Sequence, residues 1–204
     1  MIKVIVFISG RGSNLEALLK HESEYKICHV ISNKKNVKGL SIANNHGVTN
    51  TFINWSDKTR GEQIAIEIIQ SEAPDLIVLA GFMKILSKAF TEKFKNTLIN
   101  IHPSLLPDYP GLNTHQRVLD DRQPIHGATV HYVDGLLDHG KSISQIQIPV
   151  DKNDTASSLA KKLISKEHKL LTQTVGLIAN QQIYWHNEDL LFNGKILDQP
   201  MVLK

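Results

Sequence analysis

Short apolar runs alternate with helix-like stretches through the first half of the chain. The apolar runs are rich in β-branched residues and predict strands at positions 2–8, 26–32, 48–53, 75–80 and 97–102. Between them, apolar residues recur at helical spacing over positions 13–24, 39–46, 59–72 and 85–94. Uninterrupted apolar strands separated by helices are typical of a parallel sheet covered on both faces. The pattern therefore predicts an α/β fold with a doubly wound, mostly parallel sheet.

The pattern changes after residue 102. Three prolines and a glycine predict a loop at 103–111, and a pair of strands and a long helix follow at 128–133, 142–150 and 155–179. Glu167 lies within the apolar stripe of that helix, where an unpaired carboxylate would be costly, so it needs a partner or a ligand. We expect the tail after residue 182 to pack back as irregular structure or a short hairpin.

Composition and charge narrow the class of protein. With 204 residues, 41% apolar and 21% charged, the chain is typical of one globular domain. Its 23 Lys and Arg against 20 Asp and Glu leave a net charge of +3, and no basic block indicates a nucleic-acid partner. The longest apolar stretch, 76–83, is far shorter than the roughly 20 residues of a membrane span. The single Cys28 and the absence of signal-peptide features predict a cytoplasmic protein.

The turn at residues 9–14, Ser-Gly-Arg-Gly-Ser-Asn, follows the first strand and opens the first helix. Two glycines allow a close approach to an anion, and free N–H groups face it, which favours phosphate binding. A dinucleotide fingerprint would need a third glycine where Leu15 stands and an acidic residue ending the second strand, so NAD is not expected. The alternative is a plain turn capped by Ser13, with Glu16 completing a capping box. The two interpretations are compatible.

Asn100 and His102 are the first candidate catalytic pair. Residues two apart in a strand share a face, and these two lie at the carboxyl end of a strand, where open α/β sheets bind ligands. An amide beside an imidazole suits oxyanion stabilisation with proton transfer. The alternative is a histidine bonded to a backbone carbonyl near a loop. Asp138, in the loop 133–140, could reach an imidazole or could be a solvated turn residue.

Together these segments closely resemble the phosphoribosylglycinamide formyltransferase family, from residue 2 to about residue 168. The matching runs, in order, are 9–15, 80–86, 100–107, 109–111, 126–127, 131–133 and 137–140. The run Asn-Ile-His-Pro-Ser-Leu-Leu-Pro at 100–107 is the most specific of them. The resemblance implies a Rossmann-like formyltransferase domain over 1–204, with a phosphate- and ribonucleotide-binding half at 1–100 and a folate-binding half at 101–204.

The resemblance also implies an activity. The family transfers the formyl group of 10-formyltetrahydrofolate, its cosubstrate, to the amine of glycinamide ribonucleotide in de novo purine biosynthesis, without a metal. By this resemblance Asn100 contacts the formyl oxygen, His102 transfers the proton, and Asp138 favours the protonated imidazole. The residues expected at the ribonucleotide are Gly12, Ser13, Asn14 and Glu167. Those expected at the folate are Arg60, matched with a two-residue gap, Met83, Lys84, Ile85, Leu86 and Asn100.

Several positions depart from the family pattern. They are Lys84 for a common arginine, Asn113 for a histidine, Gly135 for an acidic residue, Glu16 for a glutamine, and Leu171-Thr172 for Tyr-Pro. We expect Asn113 and Glu16 to alter substrate affinity and Gly135 to alter the mobility of the Asp138 loop. None of them replaces a catalytic candidate.

Four other functions were weighed. A formyltetrahydrofolate hydrolase is expected to carry an extra N-terminal regulatory domain and a methionyl-tRNA formyltransferase a C-terminal nucleic-acid-binding domain, and we expect this chain to carry neither. A phosphate-binding module without catalysis would leave Asn100, His102 and Asp138 without a purpose. The ten histidines show no zinc-type spacing such as His-Glu-x-x-His, so no metal is expected. The expected partners are small-molecule substrates, and the expected state is a monomer or a weak homodimer.

Overall fold

A computed structural model describes residues 1–203 and contains an eight-stranded sheet and a small three-stranded sheet. The strands, in chain order, are β1 (Ile2–Ile8), β2 (Tyr25–Ser32), β3 (Thr49–Phe52), β4 (Leu76–Leu79), β5 (Leu98–His102), β6 (Ile125–Tyr132), β7 (Ser142–Pro149), β8 (Ile183–His186), β9 (Asp189–Phe192), β10 (Lys195–Ile196) and β11 (Met201–Leu203). The helices are α1 (Ser13–Leu19), α2 (Lys38–Asn45), α3 (Lys58–Glu72), α4 (Lys88–Lys93), α5 (Thr114–Asp120) and α6 (Ala156–Ala179).

The large sheet has the strand order β11-β7-β6-β5-β4-β1-β2-β3. Five strands of this sheet run parallel to one another, in the order β3, β2, β1, β4 and β5. The pair β6 and β7 is antiparallel, β6 is also antiparallel to β5, and β11 lies parallel to β7. This arrangement confirms the predicted α/β fold with a mostly parallel sheet and a later strand pair.

The apolar run of β1 is continuous because both faces of the sheet are covered. Val4, Val6 and Ile8 pack on one side in a core that includes residues of α1, α2 and α6. Ile5 and Phe7 point to the other side and pack with residues of α3 and α4. Successive side chains of a strand point to opposite faces, so a strand between two helical layers needs apolar residues at every position.

The start of α1 differs from the capped turn considered above. Its N-cap is Gly12, in the left-handed region at φ +75°, and no side chain caps the helix. Ser13 is therefore the first helical residue, and the Glu16 carboxylate pairs with Lys20 at 2.7 Å. The capping-box interpretation was wrong because Gly12 adopts the left-handed backbone conformation and moves the helix boundary by one residue. The helix also ends at Leu19, before the expected residue 24.

Three further elements differ from expectation. The helix expected at 85–94 begins only at Lys88, because the Ser87 hydroxyl caps it by accepting from the Phe90 N–H. Helix α5 follows the proline-rich loop and was not predicted. The tail is more regular than expected, since β8, β9 and β10 form the small sheet and β11 joins the large one beside β7.

Helix α6 is the longest, with 24 residues, and its predicted extent is confirmed. Thr155 is its N-cap and forms a reciprocal capping box with Ser158. Its buried side chains, among them Leu163 and Leu170, pack in the core next to β6 and β7. Across residues 1–203, no helix has both the length and the apolar character required to cross a membrane.

Candidate active site

The candidate pair Asn100 and His102 lies in the last three residues of β5, next to β6 in the sheet. In the antiparallel register, Asn100 lies opposite His131 and His102 opposite Thr129. Strand β5 lies between β4 and the reversed strand β6, so its carboxyl end is where the parallel part of the sheet stops. Open α/β sheets bind ligands outside the carboxyl ends of their strands, so this end of β5 is a suitable place for a site.

His102 has a hydrogen-bond acceptor near each ring nitrogen. Its Nε2 lies 3.0 Å from the Tyr109 carbonyl oxygen. Its Nδ1 lies 3.4 Å from Asp138 Oδ2, and the residue is only 5% exposed. Both nitrogens carry hydrogens only in the imidazolium form, so this surrounding suits a protonated ring. The bond to a backbone carbonyl, which is the alternative interpretation of His102, is present together with the pairing with Asp138.

Asp138 joins three parts of the site. Its backbone adopts a left-handed conformation at φ +51°, which aspartate tolerates better than most residues. Its Oδ2 accepts a hydrogen bond of 2.8 Å from the Gly111 N–H, and its Oδ1 lies 3.7 Å from His131 Nε2. The side chain is 10% exposed. Asp138 is therefore not the solvated turn residue considered as an alternative.

His131 holds the Asn100 amide, a role that the sequence did not indicate beyond its place in a matching run. Its Nδ1 lies 2.8 Å from the Tyr132 carbonyl oxygen, so Nδ1 carries the hydrogen. Its Nε2 then accepts from Asn100 Nδ2 at 3.1 Å. Burial lowers the pKa of His131 and keeps the ring neutral, as an acceptor must be. This bond orients the amide and leaves its second hydrogen available for a ligand.

The loop that supplies the Tyr109 carbonyl is held by α5, which the sequence analysis missed. The Tyr109 hydroxyl donates to Asp121 at 2.8 Å. The Arg117 guanidinium lies 5.3 Å from the Tyr109 ring centroid and donates to the Pro110 carbonyl at 2.6 Å. Planar guanidinium groups stack well on aromatic faces. Contacts with Asp121 and Arg117, outside β5, thus fix the Tyr109 carbonyl that faces His102.

The glycine turn meets α6. The Gly10 carbonyl accepts from the Gly39 N–H at 3.1 Å, and a Cβ on Gly12 would lie 2.6 Å from the Gly39 Cα. Asn14 is buried, and its Nδ2 donates to Glu167 Oε2 at 3.3 Å across 153 positions of the sequence. The Asn14 Oδ1 is buried without a hydrogen-bond partner. Burial raises the pKa of Glu167, while the bond from Asn14 lowers it by a smaller amount.

Residues 83–86, which the resemblance assigns to the folate, form an exposed segment between two fixed ends. Met83 and Ile85 are 63% and 69% exposed, Lys84 is exposed, and Leu86 is half-buried. The Met83 N–H donates to the Ser9 hydroxyl at 2.7 Å. At the other end, Ser87 donates from its N–H and its hydroxyl to the buried Glu62 carboxylate. The segment therefore offers apolar side chains to a ligand from a fixed backbone.

Arg60 lies exposed in the first turn of α3. Its backbone N–H donates to the capping Asp57, and among residues 1–203 its side chain makes no hydrogen bond. Two residues further on, Glu62 contacts Ser87. Arg60 therefore lies on the helix that contacts Ser87 through Glu62, and its side chain makes no hydrogen bond to residues 83–86.

A second histidine pair lies near the site. His115 Nδ1 and His126 Nε2 are 2.8 Å apart, and their rings meet edge to face. Burial, with smaller effects from His115 and His102, lowers the pKa of His126 to about 4. Burial also lowers the pKa of His115. Both rings are therefore neutral at pH 7. Within residues 1–203, no group of three or more His, Cys, Asp or Glu side chains could hold a metal ion.

The low pKa of His126 predicts a loss of stability in acid. Between about pH 6.5, an ordinary histidine value, and about pH 4, the unfolded chain binds this proton and the folded chain does not. The free energy of unfolding should therefore fall by about 2–3 kcal/mol as the pH falls through this window, and it should recover above it. Urea titrations from pH 7 to pH 4 measure this, with His126→Gln as the comparison. Equal slopes for both proteins would contradict the prediction.

The chain is similar to known formyl transferases in both sequence and structure. The model of the family described as formyl transferase matches residues 2–175. The phosphoribosylglycinamide formyltransferase of Escherichia coli is 36% identical over 203 residues, which is 96% of both chains. The solved structure of the phosphoribosylglycinamide formyltransferase from Coxiella burnetii superposes with a TM-score of 0.93 at 34% identity, covering 100% of this chain and 99% of that one.

Longer relatives contain a similar region. The trifunctional purine biosynthetic protein adenosine-3 of Bos taurus is 37% identical over 202 residues, which is 92% of this chain. The chain spans about a fifth of the length of that protein, since the match covers 20% of it. The similarity therefore concerns one part of the trifunctional protein and nearly all of the bacterial enzyme.

Proposed function

Because this chain belongs to the formyl transferase family, we propose that it transfers a formyl group from 10-formyltetrahydrofolate to the amine of glycinamide ribonucleotide, in purine biosynthesis. The observation that carries the proposal is the cluster of Asn100, His102 and Asp138 at the carboxyl end of β5. It lies in a chain that matches enzymes named for this reaction over nearly its whole length.

The reaction joins one nitrogen to the formyl carbon and releases another. The lone pair of the substrate amine attacks that carbon, and the carbonyl electron pair moves onto oxygen. When this tetrahedral oxyanion collapses, the bond from carbon to N10 of the folate breaks. N10 gains a proton and the amine loses one, so the net proton movement is from the amine to N10. The site must therefore stabilise an oxyanion and relay a proton.

Asn100 is suited to the oxyanion. One hydrogen of its amide is used by His131, and the other is free for the formyl oxygen. Since His131 fixes the amide before substrate binds, little reorganisation is needed in the transition state. A donor placed in advance in this way typically lowers the barrier by about 3–4 kcal/mol.

His102 is suited to the proton transfer. Asp138 faces Nδ1 and the Tyr109 carbonyl faces Nε2, so the ring is surrounded by acceptors that stabilise its protonated form. A protonated His102 that exchanges the Tyr109 carbonyl for the substrate at Nε2 can share the oxyanion with Asn100 and then supply the proton that N10 needs, directly or through a water. A water can carry the proton lost by the amine back to the ring. Asp138 acts by favouring the charged imidazole.

The ribonucleotide fits between the glycine turn and α6. We assign its phosphate to the half-buried Gly12 and Ser13, and its sugar or amine side to Asn14 and Glu167. The buried Asn14 Oδ1 supports this assignment, because an acceptor without a partner needs a ligand donor or a water. The folate fits against the segment Met83, Lys84, Ile85 and Leu86, in which Met83 and Ile85 present exposed apolar side chains, with Arg60 near its acidic end.

Other expectations stay predictions. The division into halves at residue 100 is crossed by these assignments, since Glu167 belongs to the proposed ribonucleotide site and Lys84 to the proposed folate site. Free Cys28 agrees with a reducing compartment such as the cytoplasm. We propose a monomer or a weak homodimer that acts on small molecules.

The activity is tested by following deformylation of 10-formyltetrahydrofolate by absorbance, with and without glycinamide ribonucleotide. We expect turnover only when the ribonucleotide is present, together with formylated ribonucleotide as the product. Equal turnover without it would indicate a hydrolase that uses water as the acceptor. Formylation of methionyl-tRNA in place of the ribonucleotide would indicate the tRNA enzyme.

Glu167→Gln should make the protein more stable and a poorer binder of ribonucleotide. Glutamine keeps an oxygen for Asn14 and removes a buried charge, a change typically worth about 1 kcal/mol. For a chain of this size the Tm at pH 7.5 should rise by about 2–4 °C. The KM for the ribonucleotide should rise about 10-fold or more, because hydrogen bonds to charged groups are worth about 1.5–3 kcal/mol.

The gain in stability of Glu167→Gln should depend on pH, because the pKa of Glu167 is raised. A raised carboxyl pKa means that the folded chain holds the proton more tightly, so wild-type stability falls as the pH rises past the ordinary glutamate value. The advantage of Glu167→Gln should therefore shrink towards acidic pH. Glu188→Gln, at an exposed position, is the matched control and should change neither Tm nor KM. An unchanged ribonucleotide KM in Glu167→Gln would refute the assignment.

A further inference from the structure

The Ser9 hydroxyl links the two segments that we assign to the two substrates. Ser9 directly follows β1, is the first residue of the glycine turn and is 5% exposed. Its hydroxyl donates to Asn33 Oδ1 and accepts from the Met83 N–H at 2.7 Å. Met83 is the first residue of the folate segment. The Ser9 hydroxyl oxygen therefore belongs to the turn that we assign to the ribonucleotide and contacts the backbone of the segment that we assign to the folate.

The orientation of this hydroxyl is determined by its partners. A serine hydroxyl has one hydrogen and two lone pairs. The hydrogen is used by Asn33, just after β2, so a lone pair faces Met83. Within residues 1–203, this is the only hydrogen bond between the segments 9–14 and 81–87. A shift of either segment must therefore strain or break this bond, or move the other segment with it.

The surrounding contacts favour movement of the two segments together. The turn cannot move away from α2 freely, because Gly10 bonds to Gly39 and Gly12 packs against it. At the far end of the folate segment, Ser87 is held by the buried Glu62. The remaining freedom of Met83 relative to the turn is limited chiefly by Ser9. Energetic coupling between sites is carried by such chains of packed and hydrogen-bonded groups.

We propose that Ser9 is a positioning residue that couples the two substrate sites, so that ribonucleotide in the turn holds the folate segment in its binding position, and folate does the same for the turn. The inference rests on the proposed function. Ser9 takes part in no bond-making step of the formyl transfer. It predicts a thermodynamic coupling between the two ligands that depends on the Ser9 hydroxyl and is equal in both directions.

The test measures that coupling by calorimetry with ligands that cannot react together. Glycinamide ribonucleotide is titrated into the protein alone and into protein saturated with tetrahydrofolate, which has no formyl group to transfer. In the wild type, tetrahydrofolate should tighten ribonucleotide binding by about 5-fold or more. In Ser9→Ala this factor should fall below about 2-fold, while each ligand alone binds within about 3-fold of wild type. Ser9→Thr, which keeps the hydroxyl, should restore the coupling.

Ser87→Ala is the matched control, since it removes a serine hydroxyl from the other end of the same segment. It should weaken folate binding and leave the coupling factor unchanged. If Ser9→Ala does not fold, Asn33→Ala leaves Ser9 in place with a free-rotating hydroxyl and should reduce the factor by about half.

The possible results distinguish a failure of the Ser9 inference from a failure of the proposed function. A Ser9→Ala protein with wild-type coupling, or a wild type that binds and turns over both substrates without coupling, overturns the inference and leaves the proposed function intact. A wild type that binds neither ligand and formylates no ribonucleotide overturns the proposed function itself, and the role of Ser9 with it.

Discussion

Replacing His102 by alanine should lower kcat by about 10³–10⁴-fold, because the variant loses both a proton donor and a donor to the oxyanion. The ring is buried between the Asp138 carboxylate and the Tyr109 carbonyl, and no other ring occupies that position. The KM for the ribonucleotide should change little, since its proposed contacts lie in the glycine turn and α6. Steady-state kinetics with both substrates, at enzyme concentrations high enough to detect slow turnover, measure the loss.

The control for this variant is His186→Ala, at an exposed position of the small sheet. It should retain the wild-type rate. Near-UV circular dichroism and the Tm must show that His102→Ala is folded. A folded His102→Ala protein with a rate near that of the wild type would exclude His102 as the proton-transfer residue.

Replacing Asp138 by asparagine should lower kcat by about 10³-fold. Asparagine keeps an oxygen for the Gly111 N–H, so the loop contact at 2.8 Å can persist. It removes the negative charge that faces both His102 and His131, and an amide N–H turned towards His102 would compete with protonation of the ring. The variant should therefore fold normally and bind both substrates, and it should fail in proton transfer.

A second variant in the same loop distinguishes this cause from a disturbed loop. Asp134→Asn, four residues earlier in the same loop, removes a carboxylate that faces the exposed His139 and should reduce kcat less than about 5-fold. Equal losses in the two variants would indicate that the loop, and not the charge at Asp138, sets the rate.

The fold was predictable because its signal is local. The alternation of apolar runs and amphipathic stretches indicated five parallel strands and their helices, and each of those strands occurs in the structure. Boundaries were less predictable. The start of α1 depends on the left-handed backbone of Gly12, and the start of α4 depends on the Ser87 cap. Helix α5 was missed because the prolines before it indicated only a loop.

The residues of the candidate site were also predictable only in part. Asn100 and His102 were predictable as neighbours, since a strand places residues two apart on one face. The resemblance to a known family supplied Asp138 and Glu167, which local spacing could not pair with anything. His131 entered only as part of a matching run, because its bond to Asn100 depends on the antiparallel register of β5 and β6.

The sequence by itself determined the α/β class, the glycine turn after β1 and the placement of Asn100 and His102 on one face, because each follows from contacts between residues close in the chain. Only the tertiary structure decided that Asp138 faces His102, that His131 orients Asn100 and that Asn14 meets Glu167. It also placed the Ser9 hydroxyl of the turn against the backbone of Met83. These pairs lie far apart in sequence, and the packing of whole strands and helices brings them together, so no local periodicity encodes them.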